Sequence, residues 1–539
     1  MAESRAASVS VQLLLGLLLS LSCTIVLADA VVGENLRLRM ETQADPLAVG
    51  VLRGPTGQLV QRFYSERAYQ PAWSIESRPT HHVNELREVV AAAFAHGLEP
   101  SDYHRETLEK INSQPEAVSA TCLELAATSA YLGLASHFLS GYVDPAQLDK
   151  DWQVERKAID LVAHLEQALA AGRIGASLAE LLPQHPGYQQ LVGQLAGLRM
   201  QPDWPVVPAG PALEHGSAGD RVVALRARLA AAGLLDDSDL TDATFDGAVA
   251  EAVKTFQQRH GLEDDGVAGR ITLQEMNTDR NQRIQQVMVN LERWRWLPNN
   301  LGRRHLRVNI AAYQLEAWQD GSRQLDMKVI VGKDYRRTPV FSEQLRYLVL
   351  NPRWVVPWRI AVEDKLPLFR KDPTGISAMG FDIFQGWADN QAPIDPATID
   401  WRSLDDRSFP YRLVQRSGPK NALGRIKFMF PNRFNVYLHD TPDRHLFERN
   451  DRNFSSGCIR VHRPLELAEW VLGETPGWSR SEIDRALATK KEKTVNLEAT
   501  IPVHIQYMTA WVDDAGQLQL RRDAYGRDRA VAASLANKQ

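Results

Sequence analysis

HLRVNIAAYQLEAWQDGSRQLDMKVIVG, residues 305–332, is the stretch on which the fold turns. Its apolar residues alternate: Leu306, Val308 and Ile310, then Leu315 and Ala317, then Leu325, Met327 and Val329. A period of two puts one face of a strand inward. Asp320-Gly321, between two such runs, is the dipeptide of a two-residue hairpin turn. The same alternation returns in QLRYLVLNPRWVVP (344–357) and RIKFMFPNRFNVYLHD (425–440). From about residue 304 the chain therefore reads as mostly β. Between the last two runs, about 353–412, lies a different segment. It is rich in Pro and carries Trp354, Trp358, Trp387, Trp401 and Tyr411, as a lid inserted over a groove would.

Upstream of residue 304 the period is helical. HHVNELREVVAAAFAHGL (81–98), TCLELAATSAYLGLASHFL (121–139) and LVAHLEQALAAG (161–172) make 31–205 a helical scaffold with no cluster of polar groups. MQPDWPVVPAGPALEHGSAG (200–219) is a linker by its Pro and Gly content. A unit over 212–278 holds three amphipathic helices around the acidic turn EDDGVAG (263–269). It is too short for much core of its own and suits a binding or spacer module. RIQQVMVNLERWRWLPNNLG (283–302) reads as a connecting helix with aromatic anchors. The β region is expected over 304–475, with a C-terminal helix and hairpin over 476–539. The fold class is multidomain α+β.

At 539 residues the chain is long enough for about three domains. A net charge of −4 argues against nucleic acid as a partner. The first thirty residues read as a signal peptide: an apolar run from Val11 to Ala28, then Ala28-Asp29-Ala30, with cleavage after Ala30. Left uncut, the run would serve as a membrane anchor.

Export makes cysteine informative. There are three cysteines, and Cys23 leaves with the signal. Cys122 sits in an apolar-periodic helix and reads as a small buried hydrophobe. Cys458 stands instead in the polar stretch FSSGCIRVHRP (454–464). A thiol becomes a nucleophile only as thiolate, so a base must reach it. If GCIRVH is extended, Cys458, Arg460 and His462 share a face. His462 then lies about 13 Å away, too far to hydrogen-bond. His439, in NVYLHDTP, is free of that limit, since a neighbouring strand can bring it opposite Cys458. His439 is thus the expected base, and His462 is structural. Gly457 permits a tight backbone at an oxyanion region. Arg460 positions the loop or the substrate. A backbone carbonyl is the expected partner that orients His439. Tyr437 lines the groove. A zinc site from Cys458-x3-His462 and His439-x5-His445 is the competing reading, weakened by the two arginines beside it.

HDTP, a spacer and SSGCIRV resemble the active-site signature of the L,D-transpeptidases, the cysteine enzymes of bacterial peptidoglycan. VGKDYRRTPVF, NPRWVVP and NLERWRWLP resemble the large Gram-negative branch, in which Ser456 stands where many members have His. Residues 212–278 resemble a three-helix peptidoglycan-binding domain, and FYSERAYQPAW with HGLEPSDYH resembles that branch's scaffold domain. The resemblance implies that Cys458 is the nucleophile and His439 the proton donor and acceptor. It implies no metal or other cofactor, tetrapeptide stems as donor and acceptor, 3→3 cross-links, a periplasmic location and acylation of Cys458 by carbapenems. Tyr437, Ser456 and Trp354 are the expected substrate-binding residues. An L,D-carboxypeptidase or endopeptidase-type hydrolase would use the same site, and a non-catalytic wall-binding protein is a further alternative.

Overall fold

Alternation in the second half of the chain builds a sheet that closes on itself. The structure, a computed structural model, describes residues 28–42, 51–113, 118–236, 240–386, 388, 391–407 and 409–536. The apolar run expected as an anchor, Val11–Ala28, falls outside the described residues but for Ala28, whereas the expected cleavage point after Ala30 lies within the described helix 28–42. Trp387 lies outside the described residues too.

The strands are β1 (Arg304–Asn309), β2 (Gln314–Gln319), β3 (Ser322–Ile330), β4 (Val340–Leu350), β5 (Trp354–Val355), β6 (Phe381–Gln385), β7 (Tyr411–Gln415), β8 (Ile426–Met429), β9 (Leu438–His439), β10 (Ile459–Val461) and β11 (Lys493–Gln506). The main sheet runs β8-β9-β10-β3-β2-β1-β11-β4, with the two-residue strand Trp152–Gln153 of the helical half added parallel to β4, and β4 also pairs with β8, which closes the barrel. The β2–β3 hairpin turns at Asp320 and Gly321, with φ of 51° and 76°. Two successive positive φ values are what a type I′ turn demands. Ile426, Phe428, Leu438, Ile459 and Val461 have no exposed surface and fill the barrel. Each contributes about 1.5–3 kcal/mol by leaving water.

β11 corrects the expected C-terminal boundary. The expected hairpin begins at Val503 and takes only the end of this strand, outside the β domain. Instead the strand lies between β1, parallel to it, and β4, antiparallel to it. The hairpin that remains is the smaller pair Ala510–Val512 and Leu518–Leu520, followed by a helix over Asp528–Ala536.

The insertion leaves the barrel after β4 and returns at β8, adjacent strands in register at Leu350 and Ile426. It folds around its own core, which includes Trp354, Phe369, Phe381, Trp401 and Leu413. β5, β7 and β6 form its sheet. One helical segment, Trp358–Lys371, widens to a π turn at Ala361–Lys365, just before Pro367. Proline has no N–H to give back to the preceding turn, so the ladder loosens there.

The helical first half packs around Ala120–Ser140, a helix buried on nearly every side. Its Glu124 is fully buried and accepts from Tyr64 Oη, the Ala72 and Trp73 N–H groups and Ser74 Oγ at 2.7–2.9 Å. Cys122 is only half-buried and receives Arg39 Nη1 at 3.2 Å, so it is not the core residue expected. The three-helix unit, Asp220–Ala231, Gly247–His260 and Arg270–Met276, does own a core, with Val222, Leu225, Phe245, Val253 and Phe256 at 0–1% exposure. That exceeds what its length promised. The connecting helix, Arg280–Trp296, buries Trp294 and Trp296 as expected. Its fully buried Glu292–Arg295 pair reaches the helical half, Glu292 accepting the Val143 N–H at 2.8 Å and Arg295 donating to the His96 carbonyl at 3.0 Å, while Arg293 pairs with Asp528 at 2.6 Å. Among the described residues no helix is long and apolar enough to cross a membrane.

Candidate active site

The loop 454–458 is stitched to the loop after β3. The Ser455 N–H donates to the Val331 carbonyl (2.9 Å) and the Lys333 N–H to the Ser455 carbonyl (3.0 Å). Thr338 Oγ1 donates to the Gly457 carbonyl (2.9 Å). Gly457 has φ +113°, and a Cβ there would meet nothing nearer than 3.6 Å. Backbone conformation, not space, requires glycine. Its N–H donates to Ser455 Oγ at 3.1 Å. That amide is thus engaged within the loop. The part of Gly457 is to turn the chain so that Cys458 stands at the start of β10.

Register then decides what surrounds the thiol. β9 and β10 are parallel, with Leu438 opposite Ile459 and His439 opposite Arg460. Tyr437 is therefore the residue abreast of Cys458, and His439 lies one row further on. From strand spacings the Cys458 and His439 Cα atoms are about 8 Å apart on a diagonal, and both side chains leave on the same face. The expectation of His439 directly opposite Cys458 is thus corrected to a diagonal neighbour. The thiol donates to the Asn435 carbonyl at 3.8 Å. Burial pushes it up from the ordinary thiol range, against the Tyr437 N–H and hydroxyl and the Lys427 and Arg460 cations.

His439 is buried, and its Nδ1–H donates to the Asp440 carbonyl at 2.5 Å, the kind of partner expected. That bond leaves Nε2 as the free acceptor. Burial first, then the Arg460 cation, lowers the imidazole to about 3, so it is neutral and available as a base. The Asp440 carboxylate serves elsewhere, accepting the Arg425 and Thr441 N–H groups at 2.8 and 2.7 Å. Arg460 pairs with Asp443 at 3.0 Å and so anchors the HDTPD segment. His462 packs on Phe447, ring centres 4.9 Å apart, away from the thiol.

Tyr437 is half-buried, abreast of Cys458 and packed against the insertion's core, and burial first, then the charge of Cys458, pushes its hydroxyl well above the ordinary tyrosine range. Trp354 is 7% exposed within the insertion's core. It buttresses Tyr437 and does not line an open groove, contrary to expectation. Trp401, at 1%, is core as well. Of the insertion's described tryptophans, Trp358 alone is open, at 52%. Ser456 is exposed and accepts from Arg336 Nη1 at 2.8 Å. The same guanidinium donates to Asp364 at 2.6 Å and to Glu363 at 2.5 Å in the insertion's π turn. Sequence reasoning missed Arg336, although it quoted the RRTPVF stretch that holds it. It missed Lys427 as well. Lys365, on the same π turn, lies over the Trp354 ring at 5.6 Å, and burial first lowers its ammonium, with Asp364 and Asp443 opposing.

The postulated zinc ligands do not converge. Among the described residues, His81, His82 and Glu85, at the start of a scaffold helix, are the one group of three that could hold a metal ion.

Residues 303–501 match the model of the L,D-transpeptidase catalytic domain. Residues 58–195 match a scaffold domain and 218–276 a "Putative peptidoglycan binding domain". A curated Haemophilus influenzae protein named "Putative L,D-transpeptidase" is 40% identical over 248 residues, 46% of this chain and 49% of that one. The match thus spans about half the length of that relative. Two solved structures are similar at low identity. An L,D-transpeptidase from Stackebrandtia nassauensis has 13% identity over 56% of this chain and 96% of that one, with a TM-score of 0.21. One from Mycobacterium smegmatis has 14% identity over 38% and 58%, with a TM-score of 0.18. Scores so low carry no argument. On the family matches, the chain bears an L,D-transpeptidase catalytic domain joined to a peptidoglycan-binding domain and a scaffold domain.

Proposed function

We propose that this protein forms 3→3 cross-links in peptidoglycan by cysteine acyl transfer, in the periplasm. Cys458 attacks the carbonyl of the third residue of a tetrapeptide stem, and the terminal D-Ala leaves as an amine. His439 Nε2 takes the thiol proton and returns it to that amine. The amine of a second stem then attacks the thioester, giving its proton to His439, and Cys458 is released. The Cys458 N–H, which follows the positive-φ Gly457, is the donor this reading assigns to the oxyanion.

The observation that carries this reading is the pairing of a half-buried free thiol with a buried neutral imidazole on one face of a barrel. Lys365, Lys427 and Arg460 make that face basic, which suits a stem bearing carboxylates. The peptidoglycan-binding domain supports the substrate class. Carbapenems, which carry a reactive carbonyl and a carboxylate, should acylate the same sulfur.

Purified tetrapeptide muropeptides incubated with the protein and read by mass spectrometry test the proposal. The expected product is a 3→3 dimer that Cys458→Ala fails to make. Tripeptide alone would identify a carboxypeptidase. Dimer made by Cys458→Ala would overturn the nucleophile assignment.

A further inference from the structure

Lys427 stands opposite His439, and His439 opposite Arg460, so the three occupy one row across β8, β9 and β10. Its neighbours Ile426 and Phe428 are fully buried in the barrel. Lys427 therefore leaves β8 on the face that carries Tyr437, His439 and Cys458. Its ammonium lies 3.9 Å from the centre of the Tyr437 ring, and Tyr437 stands abreast of Cys458 between the two strands. Lys427 is half-buried. The negative groups that act on it are the Cys458 thiolate and Glu492, whose carboxylate is also drawn to the Arg353 N–H at 2.6 Å.

The other charges around the thiol are committed. Arg460, on its own strand, pairs with Asp443, and Arg336, reaching in through Ser456, pairs with Glu363 and Asp364. Lys365 of the insertion faces Asp364 and Asp443. His439 is neutral. A partly buried ammonium whose one acting carboxylate, Glu492, is held by the Arg353 N–H is costly unless another opposite charge forms nearby.

We infer that Lys427 is the counter-ion of Cys458, placed across the Tyr437 ring to raise the fraction of thiolate before any substrate is bound. Lys427 keeps its proton throughout. The thiol proton goes to His439, and the sulfur lone pair forms the S–C bond while the carbonyl pair moves to oxygen. When that pair returns, the C–N bond breaks and the leaving nitrogen takes the proton from His439. Lys427 is a positioning residue, acting on the sulfur's charge and not on the proton.

This rests on Cys458 being the nucleophile, but its test does not need transpeptidation. The rate of Cys458 alkylation by iodoacetamide is measured against pH in the full-length protein carrying Cys23→Ser and Cys122→Ser, with Lys427 present, as Lys427→Met and as Lys427→Arg. The thiolate alone reacts, so the profile reports the thiol. Lys427→Met should displace the profile by about one pH unit to the alkaline side, a roughly tenfold slower reaction at neutral pH. Lys427→Arg should restore most of it. Superimposable profiles for all three would overturn the inference. If Lys427→Met does not fold, Cys458→Ser supplies the reciprocal reading, because coupling between two sites is mutual. With lysines labelled by reductive methylation, removing the sulfur's charge should lower the Lys427 titration by a similar amount. A Lys427 titration indifferent to Cys458→Ser would refute the pairing.

Discussion

Arg336→Ala should unfasten the insertion from the nucleophile loop without unfolding the barrel. The Arg336 side chain is 6% exposed and reaches three partners: Asp364, Glu363 and Ser456. The Asp364 side chain is 39% exposed and rehydrates when freed, so that pair is worth only about 0.2–1 kcal/mol. The Ser456 hydrogen bond, with a charged donor, adds about 1.5 kcal/mol. Arg336 Nε is buried with no partner, which offsets part of this gain. The net, about 1–2 kcal/mol, corresponds to a roughly 5- to 30-fold shift toward an undocked insertion. The global thermal midpoint should move little, because barrel and insertion have separate cores. The acyl-enzyme, by contrast, waits for an amine while water competes for the thioester. An undocked insertion should therefore lower the ratio of dimer to tripeptide more than it lowers acylation by a carbapenem. Asp364→Ala should reproduce part of the effect, and the double variant should be less than additive. An unchanged product ratio in Arg336→Ala, or full additivity with Asp364→Ala, would refute the latch.

Gly457→Ala forces a Cβ onto φ +113° with no clash to relieve, so it should destabilise by about 1–3 kcal/mol and slow acylation. An unshifted thermal midpoint would refute the backbone argument. His439→Gln removes the neutral base and should cost roughly 100- to 10,000-fold in carbapenem acylation. His462→Gln, losing only its packing on Phe447, should cost less than tenfold, and equal losses would overturn the register argument. Stability should fall in mild acid. Burial above all holds His137 and His439 down to about 3 and His96, His185 and His504 to about 4. Their folded values lie below the unfolded one, so from about pH 6.5 downward the unfolded chain binds more protons. Each histidine then adds a slope of up to about 1.4 kcal/mol per pH unit. Equal thermal midpoints at pH 7.5 and 5 would contradict this.

The sequence by itself determined whatever depends on neighbours along the chain. Alternation in 305–332 and the Asp320-Gly321 turn dictated a hairpin, because side-chain period and turn dihedrals are local properties. Spacing alone put His462 out of reach of Cys458. The polar setting of that cysteine, against the apolar helix of Cys122, singled it out. Tertiary structure decided whatever depends on which strands meet, since a period of two says which face a residue takes and nothing about the strand beside it. Lys493–Gln506 could be an outlying hairpin arm or an inner barrel strand with the same pattern, and only its pairing with β1 and β4 made it the latter. Trp354 could line a groove or fill a core, and the insertion's own packing chose the core. Register between β8, β9 and β10 set Tyr437, not His439, abreast of Cys458 and brought Lys427 into the same row. Arg336 joined Ser456 to Asp364 across 120 and 28 residues of chain, a contact no local pattern encodes. Such pairings are selected by burial summed over the whole barrel, which no single segment of the sequence contains.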